Sequence, residues 1–401
     1  MAPSAPSGSI STASSPSSAT STSTTAAVAS TSEAARAGAI LTIDLAAIAA
    51  NWRTLRDRAG PAACAAVVKA DAYGLGAARV APALAVAGCR SFVVATLDEA
   101  IALRGVLPEG TEVICLGGLP ADSEGEFQRH AVTPVLNHLG EVERWRVFAR
   151  WRGTPYPAVI HIDTGMNRLG LGPDELDRLA TEPDRLDGLT VRLWMSHLAC
   201  AEADSPMNAA QLAAFRAALA RLPAAPASLA NSSGLFLGSD YRFDLARPGC
   251  ALYGVNPTPG RPNPMSGVIR LDARVLQVRN VDSPMTVGYG ATHRVAGSGK
   301  VATVAVGYAD GYARTLSGRG HVHVGGAAAP VVGRISMDLI TVDISHLPDG
   351  AVVPNAFVEL IGPSRPVDTV AEEGGTIGYE ILTALGRRYH RVYTGGAAEG
   401  L

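Results

Sequence analysis

The sequence predicts an α/β protein, a TIM-like (β/α)8 barrel followed by a mainly antiparallel β domain. Between about residues 40 and 255, eight short apolar runs alternate with amphipathic segments rich in Ala and Arg, which is typical of parallel βαβ units. After about residue 267 the runs become short, β-branched and separated by turn residues, which predicts antiparallel strands. We therefore expect a barrel over residues 37–267 and a β domain over 268–401.

The eight apolar runs are the predicted barrel strands, and the region they cover has the length that such a barrel needs. An open doubly wound sheet is the alternative, but it normally has a GxGxxG turn after its first strand, and this sequence has none. In chain order the runs are AAVVKA (65–70), SFVVAT (91–96), EVICLG (112–117), VTPVLN (132–137), PAVIHIDTG (157–165), VRLWMSHLA (191–199), PASLANSSG (226–234) and FDLARPGCALYG (243–254).

The composition excludes several classes of protein. With 47% hydrophobic and 17% charged residues, the 401-residue chain can bury one large core or two. Its net charge of −2 gives no support for binding to nucleic acid or to a membrane surface. No apolar run approaches the length of a membrane span.

Residues 1–36 are almost all Ser, Ala, Thr and Pro, so we expect a disordered tail that buries too little apolar surface to fold. The tail lacks the basic start and apolar centre of a secretory signal. The five cysteines are scattered without metal-ligand spacing, which predicts free thiols in a reducing compartment and no metal site. Together these features predict a cytoplasmic protein.

Polar residues lie at the ends of the predicted barrel strands, where chemistry gathers in this fold. The last two strands of such barrels commonly hold phosphate. There Ser232 offers a hydroxyl, and Gly249 and Cys250 offer backbone amides at a predicted helix start. The strand-end residues are Lys69, Asp163, Arg168, His197, Asn231, Ser232, Arg247 and Gly249.

Lys69 is one of only two lysines in the chain, the other being Lys300 in the turn AGSGK. Arginine supplies positive charge elsewhere, but it cannot act as an amine nucleophile. A buried lysine beside a phosphate site suggests pyridoxal 5′-phosphate, whose aldehyde needs such an amine. An aldolase or a phosphosugar enzyme fits the same two features, so the strand ends alone leave the choice open.

Segments over about residues 40–390 resemble the alanine racemases, pyridoxal phosphate enzymes of fold type III, and they occur in the family's order. The resemblance implies a racemase that interconverts L- and D-alanine. The segments are VVKADAYGLGA, HIDTGMNRLG, MSHLACAE, LANSSG, FDLARPGCALYG, TVGYGATHR, VGYADGYAR, GRISMDLITVDI and IGYEILTAL.

The resemblance also implies roles for individual residues. Lys69 corresponds to the cofactor lysine and first base, and Tyr289 to a second base on the opposite face of the substrate. His197 would link the cofactor arginine, Arg247, to that second base. The cofactor-binding residues implied are Lys69, Tyr73, His197, Ser232, Arg247, Gly249, Cys250 and Tyr379, and the substrate-binding residues are Arg168, Met337 and Tyr308.

One position departs from the family pattern. Several members have a carbamylated lysine seven residues before the carboxylate arginine, and here that position is His161, before Arg168. Histidine cannot be carbamylated in this way, so Arg168 must be positioned differently, either by His161 or by a bound anion.

The resemblance implies a homodimer with shared active sites, because Lys69 and Tyr289 belong to different domains. D-Alanine would serve peptidoglycan synthesis, with alanine catabolism as the alternative role. A broader racemase that accepts serine is also open. A fold-type-III decarboxylase and a pyridoxal phosphate-binding protein of a single barrel are less favoured. Arg247 and Tyr289 argue against the decarboxylase, and the added β domain argues against the single barrel.

Overall fold

The computed structural model describes Met1 and residues 32–396. Most of the predicted disordered tail, residues 2–31, lies outside the described residues. Ser32–Arg36 is instead a short helix. Its sequence SEAAR favours a helix, because alanine has a high helix propensity and the acidic and basic residues lie at the ends that the helix dipole favours.

The helices of residues 32–396 are α-helices and short 3-10 helices. The α-helices are α1 (Ser32–Arg36), α2 (Leu45–Ala59), α3 (Lys69–Tyr73), α4 (Ala77–Ala87), α5 (Leu97–Arg104), α6 (Glu124–Arg129), α7 (Leu139–Arg152), α8 (Pro173–Thr181), α9 (Pro206–Leu219), α10 (Val367–Gly374) and α11 (Gly378–Thr383). Short 3-10 helices are Pro183–Leu186, Gly234–Phe236, Ser239–Tyr241, Cys250–Tyr253, Tyr289–Ala291, Tyr308–Asp310 and Arg314–Leu316.

The strands form two main sheets, one in each domain. They are β1 (Ala39–Asp44), β2 (Ala63–Cys64), β3 (Ala66–Val67), β4 (Ser91–Val94), β5 (Glu112–Cys115), β6 (Val132–Leu136), β7 (Tyr156–His161), β8 (Leu189–Met195), β9 (Ala227–Ser228), β10 (Leu245–Ala246), β11 (Ile269–Val281), β12 (Thr286–Val287), β13 (His293–Arg294), β14 (Gly299–Val304), β15 (His321–Val324), β16 (Ala327–Val332), β17 (Ile340–Asp343), β18 (Phe357–Ile361) and β19 (His390–Thr394).

The first domain is the predicted parallel barrel. Seven parallel strands follow one another from β3 to β9, and β10 pairs in parallel with β2. The Asp244 and Arg247 amides donate to the Ala227 and Ala230 carbonyls at 3.0 and 2.9 Å, which connects β10 to β9. Since β2 and β3 are two parts of one strand interrupted at Ala65, eight strand positions result, one for each apolar run.

Side chains alternate between the barrel interior and the surrounding helices, as a strand period of two requires. Val67, Val93, Ile114, Val135 and Val159, one from each of five successive strands, belong to a separate interior cluster. Their neighbours along the strands belong to the larger core outside the barrel. The interior is therefore filled with side chains, and the space for a ligand lies at the strand ends.

The second domain is mainly antiparallel, as predicted. Its sheet has the order β14-β17-β16-β15-β18-β11-β1-β19, and the additional β14–β11 pairing closes the first six strands into a ring. Among the described residues, the β1–β19 pair is the one parallel pairing in this sheet.

The predicted domain boundary at residue 37 misplaces β1. This strand pairs with β11 and β19 of the second domain instead of joining the barrel. Its alternating burial suits a sheet with one covered face, and nothing in the local sequence says which sheet it joins. Within the described residues, no helix combines the length and apolar character needed to cross a membrane.

Candidate active site

The carboxyl ends of the barrel strands form a region that we call the barrel mouth. A cavity of about 470 Å³ lies there. It brings together residues from the first, fifth, sixth, seventh and eighth strand positions and from α11 of the second domain. All eight predicted cofactor-binding residues line it, and so does Arg168. They are Lys69, Tyr73, His197, Ser232, Arg247, Gly249, Cys250 and Tyr379.

Lys69 begins α3 (Lys69–Tyr73), which is a left-handed turn and not a right-handed α-helix; we call it the left-handed turn. The four residues from Ala70 to Tyr73 have φ between 53° and 55°, a conformation that costs non-glycine residues roughly 1–2 kcal/mol each. The Ala72 amide donates to the Val68 carbonyl at 2.9 Å, and the Gly74 amide donates to the Ala70 carbonyl at 2.7 Å. Such backbone strain persists only where the surroundings enforce it, and it clusters at functional sites.

The handedness of this turn is opposite to that of an ordinary α-helix. It sets the direction of two side chains that line the cavity, Lys69 and Tyr73. At its start, the Ala70 amide donates to Glu99 Oε1 at 2.6 Å. Glu99 also accepts the Ala95 amide at 2.8 Å and is part of the capping box of α5. The turn is thereby attached to the next βα unit of the barrel.

The environment of Lys69 favours its neutral amine. Burial lowers the pKa of Lys69, and the positive charge of Arg168 lowers it further, while Glu99 opposes the shift. A neutral amine is the form that can act as a nucleophile or accept a proton. Lys69 is therefore the residue in this cavity best suited to both roles.

Polar groups that could hold a phosphate gather around Ser232. The Gly249 amide donates to Ser232 Oγ at 2.9 Å and the Ala251 amide at 3.3 Å, so the serine proton is free to point elsewhere. Tyr73 lies against Gly249, where an added Cβ would be 2.4 Å from the tyrosine hydroxyl.

Burial raises the pKa of both Tyr73 and Tyr379, which keeps both hydroxyls protonated as hydrogen-bond donors. These donors, the close approach at Gly249 and the lysine amine fit pyridoxal phosphate.

Arg247 is buried at the base of the cavity and is held by the barrel itself. Its Nη2 donates to the Ser196 carbonyl at 2.7 Å and its Nη1 donates to Ser228 Oγ. Burial lowers the pKa of Arg247 to about 10, so it still carries a positive charge at neutral pH.

His197 lies near Arg247 but makes no ring hydrogen bond to it among the described residues. Burial, followed by the charge of Arg247, lowers the pKa of His197 to about 3. The imidazole is therefore neutral at pH 7. Gln211 orients this segment, because its Nε2 donates to the His197 carbonyl at 3.0 Å. The predicted role of His197 as a link between Arg247 and a second base stays a prediction.

His161 is buried in the cavity wall with a defined hydrogen-bond partner. Its Nδ1 lies 2.8 Å from Asn137 Oδ1, and Asn137 Nδ2 donates to the Val135 carbonyl at 3.2 Å. The amide oxygen of Asn137 therefore faces the ring, so Nδ1 donates and Nε2 is left as an acceptor. Burial, followed by the charge of Arg247, lowers the pKa of His161 to about 4.

Arg168 belongs to the loop after β7, and Asp163 organises that loop. Asp163 Oδ1 accepts the Gly165 and Met166 amides, both at 2.9 Å. Arg168 itself is exposed and forms no ion pair with any described residue. Its guanidinium is therefore available to a carboxylate, but the prediction that His161 or an anion positions it stays a prediction.

Comparison with known proteins identifies the family. The family model described as "Alanine racemase, N-terminal domain" matches residues 43–257, and "Alanine racemase, C-terminal domain" matches residues 268–393. The chain belongs to the alanine racemase family. The family and fold predicted from the sequence are thus confirmed.

Relatives of the family resemble nearly the whole chain. An alanine racemase of Rhodospirillum rubrum is 51% identical over 91% of this chain and 98% of its own length. A protein of Mesorhizobium japonicum named as a catabolic alanine racemase is 49% identical over 91% of this chain and 95% of its own. The crystal structure of alanine racemase from Bartonella henselae with covalently bound pyridoxal phosphate has a TM-score of 0.87 and 45% identity. That match covers 89% of this chain and 99% of the other.

Three predicted site residues do not line the cavity of this alanine racemase family member. Tyr289, Tyr308 and Met337 all belong to the second domain, and their exposed fractions are 70%, 42% and 53%. Tyr308 and Met337 lie on adjoining turns, because the Ala309 amide donates to the Met337 carbonyl at 3.0 Å. The structure therefore divides the predicted site into a buried part in the barrel mouth and an exposed part on the β domain.

Several cavity residues were not predicted. The strand-end rule, by which functional residues follow the carboxyl ends of barrel strands, predicted His197. Glu202 lines the cavity and lies five positions after His197, so the same rule extended along the loop could have found it. Asn137 does not line the cavity but contacts His161, which does; because Asn137 ends the run VTPVLN, the same rule could have found it too. Glu380 and Thr383 reach the cavity from α11, and the signal that could have found them is the predicted cofactor-binding residue Tyr379 in the same helix.

Proposed function

We propose that this enzyme interconverts L- and D-alanine with pyridoxal 5′-phosphate as cofactor. The observation that carries the proposal is the barrel-mouth cavity, which gathers Lys69 and the seven other predicted cofactor-binding residues. Support comes from relatives named alanine racemase and from the Bartonella henselae enzyme, whose structure contains covalently bound pyridoxal phosphate.

The residues of the cavity have distinct duties toward the cofactor. Lys69 would hold it covalently. Arg247 would face the ring nitrogen, and as a charged guanidinium fixed by Ser196 and Ser228 it would not release its proton readily. When bound, pyridoxal phosphate withdraws electrons from the α-carbon of an amino acid and so makes its proton easier to remove. The phosphate would be held by Tyr73, Ser232, Gly249, Cys250 and Tyr379.

Racemisation requires that a proton leave one face of the α-carbon and that another arrive on the opposite face. Two bases on opposite faces do this without turning the substrate over. Lys69 serves one face, since burial and Arg168 favour its neutral amine. Tyr289 serves the other face, accepting a proton in one direction of the reaction and donating one in the reverse. Arg168 would pair with the substrate carboxylate through its planar guanidinium.

We infer that the enzyme is a homodimer with two shared active sites. Tyr289, Tyr308 and Met337 are exposed, and none of them lines the cavity of its own chain. A closed dimer in which each β domain faces the other subunit's barrel mouth would supply them. The partner subunit's Tyr289 would then complete the site that Lys69 begins, and the partner's Tyr308 would narrow its opening.

In the role that we favour, the enzyme supplies D-alanine for peptidoglycan synthesis. Alanine catabolism is the second candidate, and the 49% identity to a relative named as catabolic supports it. We place the enzyme in the cytoplasm, because Cys64, Cys89, Cys115, Cys200 and Cys250 are all free, as expected in a reducing compartment.

A chiral assay tests the proposed reaction. The purified, cofactor-loaded protein is incubated separately with L-alanine, L-serine and L-lysine, and both the D-enantiomer and any amine product are quantified. Rapid formation of D-alanine with little other product is expected. Serine racemised ahead of alanine would indicate the broader racemase, and amine release would indicate a decarboxylase.

A further inference from the structure

The last strand of the chain contacts the left-handed turn that begins at the cofactor lysine. Arg391 Nη1 donates to the Gly74 carbonyl at 2.6 Å, and the Tyr393 hydroxyl donates to the Leu75 carbonyl at 3.0 Å. Arg391 and Tyr393 are two residues apart in β19, so both side chains leave the same face of that strand. They contact consecutive carbonyls directly after the turn.

Two positions directly after the turn, Gly74 and Gly76, are packed too closely for any residue but glycine. Gly74 and Gly76 have φ of 82° and 93°. A Cβ on Gly74 would lie 2.5 Å from the Leu382 carbonyl oxygen, and one on Gly76 would lie 2.2 Å from the Tyr393 hydroxyl. The end of the turn is therefore enclosed between α11 and β19 of the second domain.

Four consecutive left-handed residues need such enclosure. The strain of this conformation favours relaxation of the turn unless external contacts oppose it. At the start of the turn the contact is the Glu99 carboxylate with the Ala70 amide. At its end the contacts come from Arg391 and Tyr393, and the first of these is a charge-assisted hydrogen bond, which is the stronger kind.

We propose that Arg391 and Tyr393 are positioning residues that hold the left-handed turn in its strained form. They thereby direct Lys69 and Tyr73 into the cavity. The Tyr73 hydroxyl is the sensitive point, because it lies against Gly249, and a small rotation of the turn would withdraw it from the group around Ser232. The part of this inference that concerns cofactor binding rests on the proposed function.

Four variants test this role. Tyr393→Phe removes the hydroxyl and keeps the ring that Arg79 covers at 5.1 Å. Arg391→Ala removes both of that residue's hydrogen bonds, to Gly74 and to Leu385, while Arg391→Lys retains one positive donor. Tyr241→Phe is the matched control, since the Tyr241 hydroxyl makes no hydrogen bond among the described residues.

Two measurements are made on each full-length variant: backbone hydrogen exchange over residues 70–76 in the cofactor-free protein, and the dissociation constant for pyridoxal phosphate with the absorbance spectrum of the bound form. We expect faster exchange confined to this segment. We also expect a dissociation constant raised about fivefold to tenfold in Tyr393→Phe, the effect of one hydrogen bond. The dissociation constant rises further in Arg391→Ala, and Arg391→Lys partly reverses that increase.

The proposal is overturned if exchange and cofactor affinity match those of Tyr241→Phe. It is also overturned if exchange rises across the whole barrel with a lower melting temperature and unchanged affinity, which would show a general structural role. A wild-type protein that binds the cofactor but does not racemise alanine would refute the proposed function and leave this comparison intact. If the wild type bound no cofactor, the exchange data alone would decide.

Discussion

The barrel mouth and the exposed turns of the β domain contain the two halves of the predicted site, and they are built differently. In the barrel mouth, Arg247 is 5% exposed and fixed by two hydrogen bonds, and the lysine turn is held at both ends. On the β domain, Tyr289 is 70% exposed. One chain therefore orders the proposed cofactor site but leaves the proposed second base, Tyr289, in solvent.

The contrast between the two regions is the one expected if the proposed dimer completes the site. Burial lowers the pKa of Lys69 and of His197 within a single chain, so the neutral amine of the proposed first base is favoured without a partner subunit. A second base acts only in a cavity that excludes water and fixes its distance to the substrate. The exposed turns gain those conditions when another surface covers them. Each of the following predictions tests that division between the two regions.

The largest expected effect comes from mixing two inactive variants. Lys69→Ala and Tyr289→Phe each remove one proposed base, and we expect each homodimer to lose on the order of 10³-fold in activity. After subunit exchange, half of the dimers are hybrids with one intact site, so about a quarter of wild-type activity returns. The measurement is D-alanine formation before and after mixing.

The control for that experiment pairs two variants of the same half. Lys69→Ala mixed with Arg168→Ala leaves every hybrid site with a barrel defect, so activity stays at the level of the separate variants. No recovery in the first mixture, with exchange confirmed by mass labelling, would place both bases in one chain.

The next largest effect tests whether the exposed turns form the dimer face. Leu339 is 37% exposed and adjoins Met337, which is 53% exposed. Leu339→Glu would bury an unpaired charge in the interface and raise the dimer dissociation constant about 100-fold. Sedimentation would show monomer, and activity would recover as protein concentration rises. Val86→Glu is the control, since Val86 lies on α4 of the barrel and is 76% exposed. A Leu339→Glu protein that stays dimeric and fully active would locate the interface elsewhere.

A substitution in the barrel mouth tests the cofactor half alone. An added Cβ at Gly249 would lie 2.4 Å from the Tyr73 hydroxyl. We expect Gly249→Ala to displace Tyr73 and weaken pyridoxal phosphate binding about 10- to 100-fold, with the dimer unchanged. Equilibrium titration of the cofactor measures this. Gly267→Ala is the control, because nothing lies within 4 Å of its added Cβ. Equal affinity in the two variants would contradict the role assigned to Tyr73.

The smallest effect concerns pH and stability. The folded pKa of His161 is about 4, below the usual 6.5, so the unfolded chain binds a proton first as the pH falls. Stability is therefore lost as pH drops from 6.5 toward 4. His161→Gln removes this contribution, and we expect the unfolding free energy to change less steeply with pH, by at most about 1.4 kcal/mol per pH unit. Denaturant unfolding over that pH range measures the slope, with His346→Gln at the surface as control. An unchanged slope would mean that His161 binds its proton equally in the folded and unfolded chains, so that folding does not lower its pKa.

Several features of the site could be predicted because they depend on short segments. The eight apolar runs gave the barrel strands, and the strand-end rule gave Lys69, Arg168, His197, Ser232 and Arg247, all of which line one cavity. The resemblance added Tyr73 and Tyr379, which strand ends alone do not indicate. Contacts between distant segments could not be predicted in this way. Residues such as Glu380 enter the cavity only because α11 packs beside the lysine turn.

Local sequence patterns were enough to predict the barrel strands, the residues at their ends and a lysine where the proposed chemistry needs an amine, because strand period and turn chemistry depend on neighbouring residues. The tertiary structure alone decided that β1 joins the second domain, that Asn137 fixes the His161 ring, and that Arg391 and Tyr393 hold the lysine turn. Those contacts join residues 24 to about 320 positions apart. Pairing over such separations is set by the packing of whole elements, which no short sequence pattern encodes.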